Sequence, residues 1–502
     1  MTTSPATSGG TGAPANAKKK SIVDKWMQVA GLPAALIVFV FLLTMPTPDG
    51  LLLQGKAAIA VFFSIFILWV TQSLPTYLSS LVAIVLLVIT GAWSEKQALG
   101  VFGLDVMWVM LMAFFITSGM EKSGFAKRLA LWIVSKFGHT AKSTLATLAI
   151  TNLILAFLVP STTARATLML PISLLILKVY KAVPGESNFG RQLAIQQLQF
   201  NNISTTGILT ATSPQIMAVG LIKDLTGASI TWMDWFAASF PIAALSVFAS
   251  LLIGNVLFKS EVITPPLEDG QTPLDAKKEF KEQYKALGKL SKNEIKALII
   301  FALTVFLWAT DGHHYAMFGL QISLVLVTLI SGILFFMPYI GIANWKDAKV
   351  PWDLVLFSVG AYSVGLALDA SGGASFLLNS LFGSLNLASL GFFKLYAVVI
   401  FVAMFSHLVF TSKTVRTIIL IPTIIGIAKA AGVNPVALAL PASFTISDVI
   451  TLPPSSKPNL IFYSTGYFSV LNQFVYGILV LLVKWILLVI ASLTWFKFLG
   501  IY

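Results

Sequence analysis

Ser161, Thr162, Thr163 and Arg165 stand together in VPSTTARATLMLP (159–171), and Arg165 is the only charged residue from Ser143 to Leu177. A second stretch, SKTVRTIILIP, repeats these types with Ser412, Lys413, Thr414 and Arg416. Hydroxyls donate single hydrogen bonds, and arginine offers a planar fork that matches a carboxylate. A charge in so apolar a setting is costly and marks a functional position. Two more stretches are rich in residues that unwind helices. TTGILTATSPQ (205–215) holds Thr212, Ser213 and Pro214, and TLPPSSKPN (451–459) holds Ser456, Lys457, Pro458 and Asn459. These stretches set Arg165, Lys413, Arg416 and Lys457 against one nearby acid, Asp448. The chemistry they suit is reversible binding of a small anion carrying two or three carboxylates.

The elements that must position these groups are membrane helices. Of the 502 residues, 57% are hydrophobic and only 11% are charged, whereas soluble domains carry about 25% charged residues. Many apolar runs reach the ~18 residues that read as spanning helices. The net charge of +13 would suggest nucleic acid in a soluble chain. Here the Lys and Arg fall mostly on one side of the expected topology, which is the positive-inside pattern of a membrane protein. The partners expected are the lipid bilayer and carboxylate anions, with no nucleic acid. The absence of cysteine excludes disulfides and thiol chemistry.

The expected fold is an all-α polytopic membrane protein. Residues 1–28 form a disordered cytoplasmic tail, and 29–56 carry an extra first helix. Residues 57–258 and 294–502 form two repeats joined by a charged cytoplasmic linker, 259–293. In each repeat a long apolar run is broken in the middle (143–182 and 393–430) and reads as a re-entrant hairpin. Further runs at 192–222 and 431–462 read as broken helices. The piece 123–141 is amphipathic and suits a helix lying along the membrane surface. MEKSG (120–124) precedes the first hairpin as LDASG (368–372) precedes the second, and SPQ (213–215) follows as KPN (457–459) follows. Three anchors in the same order argue for an internal duplication. An odd number of crossings per repeat inverts the second copy, giving eleven transmembrane helices plus two hairpins in two inverted repeats. The N-terminus is then cytoplasmic and the C-terminus outside. Such repeats with broken helices near the midplane belong to secondary transporters.

These paired motifs resemble the divalent anion/sodium symporter family of di- and tricarboxylate transporters, over nearly everything from about 50 to 496. In that family each hairpin tip carries Ser-Asn-Thr, faced by a Thr-Pro-Pro-Asn-like turn. Here STT (161–163) and SKT (412–414) stand at the tips, with TSPQ (212–215) and SKPNLIFYSTGYF (456–468) at the turns. Thr162 and Lys413 replace the motif asparagine that helps hold sodium, and Lys457 enters an otherwise neutral turn. The resemblance therefore implies the sodium-independent exchanger branch, carrying C4–C5 dicarboxylates such as succinate, malate, fumarate and 2-oxoglutarate, with citrate or tartrate as further candidates. It also implies a homodimer in a bacterial plasma membrane, moving its substrate like an elevator. No cofactor, metal or catalytic residue is expected. A sodium- or proton-coupled symporter is the nearest alternative. An anion channel is less compatible with duplicated broken helices. An intramembrane hydrolase would require motifs such as HExxH or GxSxG, which are not in the chain.

Other polar residues have plainer readings. Asp448 reads as a structural partner, and an ion pair with it is the plainer reading of Lys457. Lys484 reads as a snorkelling or packing lysine of the last helix. Asn201 and Asn202 read as residues that cap or bridge helices, and His407 as a satisfied interior histidine.

Overall fold

The computed structural model describes residues 22–138, 140–264, 281–382, 390–410 and 412–501. Most of the expected tail (1–21) and part of the linker (265–280) lie outside these residues. Among the described residues the ordered elements are helices, without strands. Among the described residues eight helices are long and apolar enough to cross a membrane, or nine if Lys292–Ala309 and the bent Asp311–Phe318 form one span. Three shorter apolar helices, Gln28–Thr44, Thr76–Ile89 and Leu324–Phe336, accompany them. The chain is a multi-pass integral membrane protein. Its first helix begins at Ile22, inside the stretch expected to be a tail.

Helix starts follow local chemistry. Thr231 with Asp234, Ser291 with Glu294 and Ser469 with Asn472 each form a capping box, in which side chains satisfy orphan N–H groups. The amphipathic helix Phe125–Phe137 is held at its base by Arg128, which donates to Glu294 and to the carbonyls of Leu287, Gly288 and Lys289. This ties it to the described end of the linker.

One group of helices packs mainly among itself: Ile22–Thr44 on Leu53–Thr71, Thr76–Ile89 on Trp352–Ala370, and Leu324–Phe336 on both Asp105–Ser123 and Lys292–Ala309. A second group gathers around Asn188–Thr206, whose Gln192, Gln196, Gln197, Gln199, Asn201 and Asn202 are all buried. So many buried amides require partners, and the partners come from several elements. Gln197 accepts from Asn152, Gln199 accepts from Ser250, and Gln196 donates to Tyr476. The helix thus holds its neighbours by hydrogen bonds that apolar packing alone would not direct.

Each half contains a pair of helices meeting at a tip: Ala141–Leu158 with Thr162–Val179, and Gly391–Phe405 with Lys413–Ala430. The first pair is a hairpin, since Tyr180, just past its end, pairs with Thr144 near its start (3.2 Å). Each half also contains a helix that breaks and restarts. Asn188–Thr206 gives way to a 3-10 turn at Leu209–Ala211, and extended Thr212 leads into Ser213–Thr226. Pro435–Ser443 is followed by a 3-10 turn at Pro453–Ser455, and extended Ser456 leads into Lys457–Tyr463. Both restarts carry proline in the first turn, where its missing N–H costs nothing. The restarted halves pack reciprocally: Ser213–Thr226 on Lys413–Ala430, and Lys457–Tyr463 on Thr162–Val179.

Candidate functional site

The two tips and the second unwound turn border an open cavity of about 330 Å³, lined by Thr162, Thr163, Ser412, Lys413, Pro454, Ser455, Ser456, Lys457 and Pro458. Serine caps place three of the elements around it. Ser161 accepts from the Ala164 N–H (3.3 Å), Ser412 from Val415 (3.3 Å) and Ser456 from Asn459 (3.4 Å). A hydroxyl that accepts a cap bond still has its own proton to donate. The starts of Thr162–Val179 and Lys413–Ala430 also leave first-turn N–H groups without intrahelical partners and bring the positive ends of two helix dipoles toward the cavity.

Two cations reach the lining. Lys413 donates to the Asn202 side-chain oxygen (2.9 Å), a neutral acceptor that leaves its charge uncancelled. Lys457 is exposed, and among the described residues it has no ion-pair partner. Asp448 pairs with Lys484 at 2.7 Å instead, both fully buried. Lys484 also donates to Thr206 (3.0 Å) and to the Phe444 carbonyl (3.2 Å). Lys484 therefore does not snorkel. The last helix runs past the turn that carries Asp448, and this delivers the lysine to it. Gly477, about two turns earlier on the same helix face, allows that approach: a Cβ there would meet Thr451 Cα at 2.9 Å.

The other expected site residues lie behind the lining. Arg165 and Arg416 are fully buried. Arg165 donates to the hydroxyls of Ser204 (3.1 Å) and Thr205, and Arg416 to the carbonyls of Ala403 (3.0 Å) and Thr445 (3.3 Å). Each arginine fastens its tip to the broken helix of the same half. Thr414 and Asn459 are buried, and Ser161 is part-buried at the tip. Asn459 donates to the carbonyls of Val449 (2.6 Å) and Leu452 (2.8 Å), fixing the unwound turn. Thr212, Ser213 and Pro214 are not in the lining, so the cavity is faced by the second turn and not by the first. His407 is satisfied by Met404 and Thr451.

Pro454 and Ser455, which line the cavity, were not singled out in the sequence, whereas Asn201 and Asn202 bridge helices as expected, with partners the sequence did not name. Asn201 donates to the Thr162 carbonyl at the first tip (2.9 Å). Asn202 accepts from Lys413 at the second tip and donates to Asn459 (3.1 Å). The available signal was the density of amides in QLAIQQLQFNN (192–202), which an apolar span does not need.

A multi-pass helical protein with a small polar, cationic cavity walled by two helix tips has the layout of a membrane transporter, and the family match below gives the same class. The sodium:sulfate symporter transmembrane region matches residues 26–502, and the chain belongs to that family, the divalent anion/sodium symporters. It is 26% identical over 493 residues to a membrane protein of Cupriavidus necator, covering 94% of this chain and 93% of the other. It is also 26% identical over 507 residues to the L-tartrate/succinate antiporter of Escherichia coli K12, covering 95% and 99%. Among solved structures, the YdaH transporter of Alcanivorax borkumensis aligns with a TM-score of 0.50 and 14% identity, covering 94% and 97% of the two chains.

Proposed function

We propose that this transporter exchanges C4–C5 dicarboxylates such as succinate, malate, fumarate and 2-oxoglutarate, with tartrate and citrate as further candidates, without sodium. The observation that carries the reading is that Lys413 and Lys457 line one cavity with the hydroxyls of Thr162, Thr163, Ser412 and Ser456. A cavity of this size suits a small substrate. Two fixed ammonium groups match two carboxylates, and hydroxyls and helix starts complete the donor set. The antiporter name borne by relatives at 26% identity points the same way. A fixed ammonium where a family member would hold sodium repels sodium and replaces its charge.

Fixed cations also give a reason for exchange. A bound ion can leave an empty carrier, whereas lysine cannot. Moving an empty cationic cavity through the bilayer costs several kcal/mol per unpaired charge, and a bound dicarboxylate offsets most of it. The carrier then moves readily only when loaded.

In this reading the two halves are inverted repeats, the protein is a homodimer, the N-terminus is cytoplasmic and the C-terminus outside. The hairpins and broken helices move as one body against the remaining helices.

The reading is tested with purified protein in vesicles loaded with unlabelled succinate. Labelled succinate should enter, and external malate, fumarate or tartrate should compete. Competition by sulfate alone would reject the dicarboxylate assignment.

A further inference from the structure

Asn201 and Asn202 are neighbours on one buried helix, yet they serve opposite tips. Asn201 donates to the Thr162 carbonyl (2.9 Å). Asn202 presents its oxygen to the Lys413 ammonium (2.9 Å) while its amide nitrogen donates to the Leu198 carbonyl (2.8 Å) and to the Asn459 side-chain oxygen (3.1 Å). Asn459 is in turn fixed by the Val449 and Leu452 carbonyls. A chain of side chains thus runs from the cavity cation through the first broken helix to the second unwound turn. Asn202 and Asn459 are fully buried, so the Asn202 oxygen cannot turn away without leaving buried donors unpaired.

We propose that Asn202 is a positioning residue that sets the charge offered to the substrate, a role that rests on the dicarboxylate reading above. Lys413 sits on a flexible four-carbon stem with three donors. One donor is committed to a neutral amide oxygen, which fixes the ammonium at the cavity wall without cancelling its charge. The other two remain for a carboxylate. A carboxylate at position 202 would form an ion pair with Lys413 and remove that charge from the site. An apolar residue would leave the ammonium unanchored. Because Asn202 also reaches Asn459, the same side chain keeps Lys413 and the turn bearing Lys457 at a set separation, which selects the spacing between the two carboxylates of the substrate.

The test is exchange kinetics in vesicles for wild type, Asn202→Ala, Asn202→Asp, Asn202→Ser, Lys413→Ala and the double variant Asn202→Ala/Lys413→Ala, with succinate affinity also read from substrate-induced thermal stabilisation. Loss of a charge-assisted hydrogen bond at the site should raise KM for succinate about tenfold in Asn202→Ala. The maximal rate should stay within about threefold, since the tip itself is held by its serine cap and Arg416. Asn202→Asp should raise KM further, and Asn202→Ser, which keeps an oxygen acceptor, should recover much of the loss. The double variant should match Lys413→Ala in affinity, because Asn202 acts through Lys413. An unchanged KM in Asn202→Ala, a double variant worse by the product of the single effects, or loss of folded protein in both Asn202→Ala and Asn202→Ser would overturn the assignment. If wild type exchanges sulfate and no dicarboxylate, the substrate reading fails, and the same comparison is then read on sulfate.

Discussion

The Lys484 ammonium lies 2.7 Å from the Asp448 carboxylate, and both side chains are fully buried. This pair sits behind the second unwound turn and holds the last helix against it. Removing one partner leaves a buried charge uncompensated. Lys484→Ala should therefore destabilise the protein by about 3–5 kcal/mol, measured as a lowered unfolding temperature of the purified protein. The double variant Asp448→Leu/Lys484→Met should recover most of the loss. Unchanged stability of Lys484→Ala would return this lysine to the peripheral role its sequence position suggests.

Lys413→Asn recreates the Ser-Asn-Thr tip of the sodium-coupled relatives. Without sodium, succinate exchange should fall at least about tenfold, as a charge-assisted contact is lost. Added sodium should restore part of it by returning a cation to the site. Exchange as fast as wild type in sodium-free buffer would show that the Lys413 charge is not used.

Arg165 fastens the first tip to Ser204 and Thr205 from behind the cavity. Arg165→Lys loses the two-pronged contact and Arg165→Ala loses all of it. Both should lower the maximal exchange rate, by about tenfold or more for alanine, with KM changed little. A raised KM at an intact rate would instead place the guanidinium on the substrate.

The parts of the site legible in the sequence are those that interrupt the apolar pattern. Thr162, Thr163, Ser412, Lys413, Ser456 and Lys457 stand out because a bilayer-spanning helix has no use for them, and the structure brings them to one cavity. The pairing of Asp448 with Lys484 was hidden, because it joins elements whose approach depends on packing and on Gly477. Motif symmetry was also a poor guide to lining. Thr212–Pro214 and Ser456–Pro458 match as sequence, but only the second turn faces the cavity. The helices were legible as runs, and their breaks as Gly, Pro and Thr. The lengths of short or bent spans such as Leu324–Phe336 were not, because hydropathy does not show where caps end a helix.

The most direct test of fixed-cation exchange is uptake of labelled succinate into proteoliposomes loaded with buffer or with unlabelled dicarboxylate, each with and without sodium. The account predicts uptake only into dicarboxylate-loaded vesicles, at the same rate with and without sodium. Sodium-driven accumulation in buffer-loaded vesicles would contradict it and identify a symporter.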